Sequence, residues 1–145
     1  MTRPLPGSTG DVALLLGRVV LGVVLIAHGW QKIVTNGLGA TSAAFGKMGV
    51  PLAPVSAGYA GIVELVGGVL LVAGAATVVV SALVVLDMLG AFAIVHVSHG
   101  VFAQSGGWEL VGVIAAAALL LIGAGAGRYS VDHVLTARRR SAVTV

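Results

Sequence analysis

The sequence predicts an all-α integral membrane protein, a bundle of four transmembrane helices. Of its 145 residues, 58% are hydrophobic and only 9% are charged, and the mean hydropathy is +1.09. A soluble domain carries about 25% charged residues. Four spans of roughly 20 residues each would use most of the chain. The expected location is therefore the cell membrane.

The first span is expected at residues 12–34, after a disordered arm at residues 1–11 that contains two prolines and two glycines before Asp11. Asp11 can cap the helix, because its carboxylate accepts backbone N–H groups of the first turn. Trp30 and Lys32 mark the far interface, where such side chains anchor spans.

One face of the first span is predicted to pack inward. Leu25 returns to nearly the face of Arg18, and Leu21, Gly22 and Gly29 continue the same stripe. Small residues on such a stripe let a neighbouring helix approach closely.

The second and third spans are expected at residues 55–74 and 77–99, after a glycine-rich connection at 36–54 with one turn of interfacial helix. Forty apolar residues are too many for one span. Gly74 is predicted to end the second span and Thr77 to cap the third. The second span carries four glycines that suit close helix packing: Gly58, Gly61, Gly67 and Gly68.

The fourth span is expected at residues 108–124, which gives a transmembrane domain over 12–128 and a basic tail over 129–145. Ser130 is predicted to cap a short surface helix in this tail, with Asp132 in its first turn. Three arginines at its end are predicted to bind lipid or a partner: Arg138, Arg139 and Arg140.

The distribution of charge predicts topology and excludes several functions. Arg3, Arg128 and the tail arginines share one side and Lys32 and Lys47 the other, so both termini are expected in the cytoplasm. Because the excess positive charge sits just past the last span, nucleic-acid binding is not expected. The absence of cysteine excludes thiolate catalysis and iron–sulfur clusters.

Three ionisable residues interrupt the spans: Arg18, Glu64 and Asp87. A charge at bilayer depth is costly, so it usually faces the bundle interior and finds a partner. At 1.5 Å rise per residue, the three depths overlap. In one interpretation they form a ligand pocket, in which Arg18 pairs with one carboxylate and the other binds a ligand or a proton. In the other, an Arg–acid pair is only a structural clamp. Both stay open.

A second polar group is predicted near the far end of the bundle. His28 and Lys32 are four residues apart on one helical face, and His28 is assigned to the ligand pocket. Lys32 joins His96, His99 and Glu109 in an outer cluster. His96 and His99 are three residues apart, a spacing at which both could bind one metal ion, but interfacial side chains at a helix end are the simpler interpretation. No metal site is predicted.

Haem ligation by His28 and His96 is disfavoured. Asp87 and His96 are nine residues apart, which in a regular helix turns them about half a turn from each other. Both cannot then face the bundle axis, so one of the two proposed sites is not a core site.

Several segments have a familiar order and spacing: LGRVVLG at 16–22, HGWQK at 28–32, Phe45 with GVP at 49–51, ELVGG at 64–68 with Gly74, EL at 109–110 and GAGRYSVD at 125–132. Over residues 12–133 they resemble the DoxX family. The resemblance implies a small four-helix membrane protein. Its relatives are linked to thiosulfate:quinone oxidoreductase subunits and, in some actinobacteria, to membrane complexes with superoxide dismutase and a sulfurtransferase.

The expected function is therefore an accessory membrane subunit of a redox or oxidative-stress system. It would bind quinone or another small redox ligand near Arg18, Glu64 and His28 and dock a soluble redox enzyme on its tail. The chain offers no redox centre of its own, so whether it is itself an enzyme stays open. The alternatives are a small proton or solute transporter subunit, working as a homo-oligomer, and a non-catalytic scaffold.

Overall fold

The computed structural model describes residues 7–143, with side chains through Arg139. These residues form six α-helices joined by short turns and no strand. The helices are α1 (Gly7–Trp30), α2 (Leu38–Lys47), α3 (Ala53–Ala73), α4 (Thr77–Ala91), α5 (Glu109–Ala124) and α6 (Val131–Val143). α1 continues as a π-helical turn at Gln31–Thr35, and α4 continues as a π-helical turn at Phe92–His96 and a 3₁₀ turn at Val97–His99. The all-α prediction is confirmed.

Four of these helices form the bundle. α1 packs against α3, α3 against α4, α4 against α5 and α5 against α1, so they close a ring. The stretches Gly7–Thr35, Ala53–Ala73 and Thr77–His99 are long and apolar enough to cross a membrane, and α5 is a shorter apolar helix of 16 residues. At 1.5 Å per residue, α5 is about 24 Å long. The core between the helices includes Leu25, Leu71, Val84 and Ala118, each with 0% of its surface exposed.

The bundle has two different ends. The terminal end holds the start of α1, the α3–α4 turn, the end of α5 and α6, and the Asp132 N–H donates to Gly74 O across it at 2.9 Å. The loop end holds α2, both π-helical turns and the connection between α4 and α5. The two ends carry different polar groups, as described below.

The α1–α3 contact is a close approach of two backbones. The buried residues of α1 are those of the predicted stripe, Arg18, Leu21, Gly22, Leu25 and Gly29, which confirms that prediction. A Cβ on Gly22 would lie 2.7 Å from Gly68 O. Since real Cβ atoms do not approach backbone oxygen so closely, glycine on both helices sets the interhelical distance.

The tight α3–α4 turn falls where the sequence predicts it. Gly74 ends α3 in the left-handed conformation at φ 70°, and α4 begins at Thr77. The predicted cap, however, is wrong. The Asp132 carboxylate of α6 accepts the Ala76 N–H at 2.7 Å and the Thr77 N–H at 2.9 Å, so a distant acid caps the helix. Ser130 does cap α6, since its Oγ accepts the His133 N–H at 3.2 Å.

Two further elements differ from the sequence predictions. α1 begins at Gly7, so Asp11 lies inside the helix and accepts the Arg128 N–H at 3.0 Å instead of capping. The rest of the predicted arm, residues 1–6, lies outside the described residues. The connection after α1 folds into the ten-residue helix α2 where one turn was expected. Packing on α3 accounts for the longer helix, because tertiary contacts stabilise helices that local sequence leaves marginal.

Candidate functional site

The loop-end half of the bundle holds a cavity of about 420 Å³ that is partly open to the protein surface. Its walls come from α1 to α5 and from both π-helical turns. Most lining side chains are apolar, including Leu25, Met88, Leu110 and Ile114. A mainly apolar cavity of this size with a few polar groups is typical of small-molecule sites. We call it the loop-end cavity.

An ion pair lies inside this cavity. Lys32 Nζ donates a hydrogen bond to Glu64 Oε2 at 2.6 Å. The Glu64 side chain is 6% exposed and the Lys32 side chain 20% exposed. Helical side chains lean toward the helix N-terminus, so Lys32, near the end of its helix, reaches back into the bundle. Each charge thereby offsets the cost of burying the other.

Asp87 faces the same cavity from α4. Glu64 and Lys32 line the same cavity as Asp87. The Oδ2 atom of Asp87 is buried and accepts no hydrogen bond from any described group. An unsatisfied buried oxygen is costly, so this atom is available to accept a hydrogen bond from a bound group. Tyr59 lines the cavity beside it and donates from its hydroxyl to Leu83 O at 3.0 Å.

His28 and His96 also line the cavity. The Nδ1 atom of His28 is 2.9 Å from Val24 O, and that of His96 is 2.6 Å from Gly106 O. The prediction that Asp87 and His96 cannot both face the bundle interior is wrong. It assumed a regular helix, whereas the π-helical turn at Phe92–His96 rotates the chain before His96. Such turns are frequent at functional sites.

Arg18 lies away from this site. It is 1% exposed at the terminal end, where its guanidinium donates to Ala126 O at 2.8 Å and to Tyr129 O at 2.7 Å. The expected pairing of Arg18 with one of the two span carboxylates is therefore wrong, because Arg18 donates to backbone carbonyls and Glu64 pairs with Lys32. Asp132 is the acid whose charge acts on Arg18. The structure thus brings together Glu64, Asp87 and His28 but not Arg18.

The predicted outer cluster is also divided. Lys32 and His96 line the cavity, while His99 and Glu109 do not. His99 Nδ1 is 2.8 Å from Val95 O in its own helix. Glu109 Oε1 accepts the Ala103 N–H at 2.8 Å and so orders the loop before α5. Among the described residues, no group of three or more His, Asp or Glu side chains could hold a metal ion.

The basic tail is at the opposite end from the cavity. Arg138 and Arg139 are exposed on α6, and the side chain of Arg140 lies outside the described residues. Arg128, 71% exposed, places its Nε atom 4.0 Å from Asp11 Oδ2. A partner held on the tail would therefore sit across the bundle from the loop-end cavity.

Sequence reasoning missed three features of the cavity. The Lys32–Glu64 pair could have been found, because a lysine near the end of a span points back into it. Tyr59 and Phe45 carry no such signal, since their places in the wall depend on how α3 and α2 pack.

Two known proteins are similar to this chain in amino-acid sequence. A protein of Bacillus subtilis (strain 168) named "Putative oxidoreductase CatD" is 36% identical to this chain over 81 residues. These residues are 56% of this chain and 58% of the relative. The match thus spans little more than half of that relative. A Mycobacterium tuberculosis (strain ATCC 25618 / H37Rv) protein named "Uncharacterized membrane protein Rv3486" is 28% identical over 142 residues, 90% of this chain and 86% of its own. No solved structure matches significantly.

The family comparison covers most of the bundle. The DoxX family model matches residues 13–97, which include the Lys32–Glu64 pair, Asp87 and both cavity histidines. Together with the apolar helices, this match means that the chain is a membrane protein of the DoxX family.

Proposed function

We propose that this protein is a membrane subunit of a redox system and binds a quinone in the loop-end cavity. The observation that carries the proposal is a buried Lys32–Glu64 pair beside the free Asp87 oxygen, in a mainly apolar cavity of about 420 Å³. A quinone matches this combination of apolar wall and polar groups, because its apolar ring carries two polar oxygens.

The polar groups match both oxidation states of such a ligand. The Lys32 ammonium has three N–H donors and uses one on Glu64, so it can also donate to a quinone carbonyl. A quinol hydroxyl can donate to Asp87 Oδ2. The bound quinone would supply the redox chemistry, for which the chain has no group of its own.

Docking of a soluble redox enzyme, such as a superoxide dismutase or a sulfurtransferase, is a further part of the proposal. Exposed Arg128, Arg138 and Arg139 would attract an acidic surface. Because these arginines and the cavity lie at opposite ends, docking there would hold the enzyme at the membrane without bringing it to the quinone. The relative named as an oxidoreductase supports the redox assignment.

Binding of decylubiquinone and menadione to purified protein in detergent tests the cavity. Quenching of Trp30 and Trp108 fluorescence would report it, since both lie at the loop end. Lys32→Met and Asp87→Asn should each weaken binding about ten- to hundredfold, because the first removes the ammonium donor and the second replaces one carboxyl oxygen with an NH2 group that cannot accept. Glu109→Gln is the matched control, a loop-end carboxylate outside the cavity wall, and should bind like the unmodified chain. Equal affinity in all variants, or no saturable binding, would contradict the proposal.

A proton transporter is the second candidate, because paired and free acids at bilayer depth also mark proton pathways. Proton flux in sealed liposomes, abolished by Asp87→Asn, would favour it. A chain without quinone binding or proton flux would act as a scaffold.

A further inference from the structure

A second cavity adjoins the first at the loop end. It measures about 440 Å³ and lies between the π-helical turn after α1 and the helix α2. Its lining includes Gln31, Asn36 and Thr41, so its walls are more polar than those of the loop-end cavity. We call it the outer groove. Gln31 and Asn36 are exposed, so the groove opens on the protein surface beside polar groups that water can solvate.

Two side chains separate the groove from the cavity. Among the described residues, Lys32 and Phe45 line both spaces. The Lys32 side chain is 20% exposed, yet its Nζ atom bonds to the buried Glu64. Lys32 thus extends from the groove to the cavity, and the half-buried Phe45 ring forms the rest of the partition.

One hydrogen bond adds to the packing of α2 on α3 and ties the helix of Phe45 to the turn that carries Lys32. Phe45 belongs to α2, which is tied to the turn after α1 where the buried Thr41 hydroxyl donates to Lys32 O at 2.8 Å. Thr41 thereby fixes α2 against Lys32. Loss of this bond would remove a contact that holds α2 beside Lys32 and should loosen the Phe45 ring in the partition.

We propose that the Lys32–Phe45 partition is a water port, through which water and protons pass between the outer groove and the loop-end cavity. Phe45 is its gate and Thr41 the positioning residue of the gate. The use of the port rests on the proposed function, because a quinone that receives two electrons from a redox partner also takes up two protons to become a quinol. The port itself needs no quinone and can be tested without one.

The absence of cysteine makes thiol labelling a direct test. Ala60→Cys places a thiol in the cavity wall at a residue only 5% exposed. Ala40→Cys places one in the groove, and Ala118→Cys in the core outside both spaces. The probe is a trimethylammonium methanethiosulfonate reagent, added to each variant in lipid nanodiscs. Labelling rates are measured by mass spectrometry.

We expect the Ala40→Cys variant to label fastest and the Ala118→Cys variant not to label. Ala60→Cys should label slowly, about tenfold faster when Phe45→Ala or Thr41→Val is added, and more slowly when Phe45→Trp is added. Thr41→Val keeps the side-chain volume and removes the hydroxyl, so it isolates the hydrogen bond. The opposite effects of Phe45→Ala and Phe45→Trp guard against a variant that is merely misfolded.

The port proposal would be overturned if the labelling rate of Ala60→Cys stayed the same with each of the three second substitutions. Acceleration of Ala118→Cys labelling by the same factor would also overturn it, because that would show general loosening. If quinone binding fails while labelling follows Phe45 and Thr41, the port stands and the proposed ligand is wrong. If quinone binds while labelling does not depend on Phe45 and Thr41, the quinone site stands and the port proposal is wrong.

Discussion

At the residue scale, the two buried cations have opposite roles. Arg18 satisfies carbonyl oxygens of the linker between α5 and α6, Ala126 O and Tyr129 O. Partly buried carbonyl groups of non-helical backbone need such donors, because burial removes water molecules that would otherwise bond to them. Lys32 instead pairs with Glu64 inside the cavity. The structure gives Arg18 a clamping role, but the groups that it holds are backbone carbonyls and not an acid.

Arg18→Lys should therefore lower stability and leave quinone affinity unchanged. A lysine ammonium cannot reproduce the planar, two-armed contact. Each hydrogen bond from a charged group contributes about 1.5–3 kcal/mol, so loss of one should lower the thermal midpoint. Heating in detergent followed by size-exclusion chromatography measures this midpoint. Normal stability with weakened quinone binding would mean that Arg18 belongs to the ligand site.

At the scale of elements, helix packing depends on glycines that the helices place face to face. A Cβ on Gly68 would lie 2.7 Å from Gly22 O and 2.9 Å from Ile26 N. Both are backbone atoms, so neither can move without shifting α1. By contrast, a Cβ on Gly58 of the same helix would meet nothing within 4 Å.

Gly68→Ala should destabilise the bundle by about 1–3 kcal/mol, the usual cost of overpacking. Gly58→Ala is its matched control and should be neutral or stabilising, because alanine favours a helix over glycine by about 1 kcal/mol. Thermal midpoints of the two variants in the same detergent give the comparison. Equal effects would show that α1 and α3 do not pack as closely as described.

The contact of α6 with α4 predicts a pH dependence. Burial raises the pKa of the Asp132 carboxyl, but hydrogen bonds from Thr77 and Ala76 and the charge of Arg18 outweigh it, so its pKa lies below the ordinary 3.8. A carboxyl with a lowered folded pKa stabilises the fold above its unfolded pKa. This contribution is lost as pH falls through the lower, folded value.

Asp132→Asn should accordingly cost about 1 kcal/mol at neutral pH, because the amide is uncharged and has one acceptor oxygen for the two N–H groups of Ala76 and Thr77. The difference in thermal midpoint between the unmodified chain and this variant should be constant down to about pH 4 and shrink below it. Melting curves at several pH values measure this difference. A difference that grows on acidification would contradict the assigned ionisation.

At the scale of the whole molecule, the polar groups that hold the fold together lie at one end of the bundle and the candidate ligand site lies at the other. Arg18, Asp11 and Asp132 tie the terminal end together through backbone groups. The loop end holds the cavity, the groove and both π-helical turns. A ligand at the loop end and a partner on the tail would therefore approach from opposite sides of the membrane.

Charge predicts which side each end faces. Arg128, Arg138 and Arg139 should hold the terminal end in the cytoplasm, and the loop end should face outward. Alkaline phosphatase fused after residue 104 should be active, and the same enzyme fused after residue 143 should be inactive. Green fluorescent protein fusions at the two sites should give the reverse pattern. An active phosphatase at the C-terminal site would show that the topology is the reverse of the one predicted.

Most of the architecture follows from the sequence, because its signals are local. Long apolar runs give the spans, Gly74 gives the tight turn, and the stripe from Arg18 to Gly29 gives the buried face of α1. The polar character of the bundle interior follows too, since membrane-buried charges must face it. Quinone binding stays a prediction.

Tertiary structure alone decided which charges meet. Lys32 and Glu64 are 32 residues apart, and Asp132 caps a helix that begins 55 residues earlier. Such contacts depend on side-chain reach and on the order of helices around the bundle, which composition and periodicity do not specify. The rotation at Phe92–His96 is likewise invisible to a regular helical wheel. The sequence by itself thus determined the membrane bundle and the presence of buried charge, while packing decided that Arg18 is structural and that Lys32, Glu64 and Asp87 share a cavity.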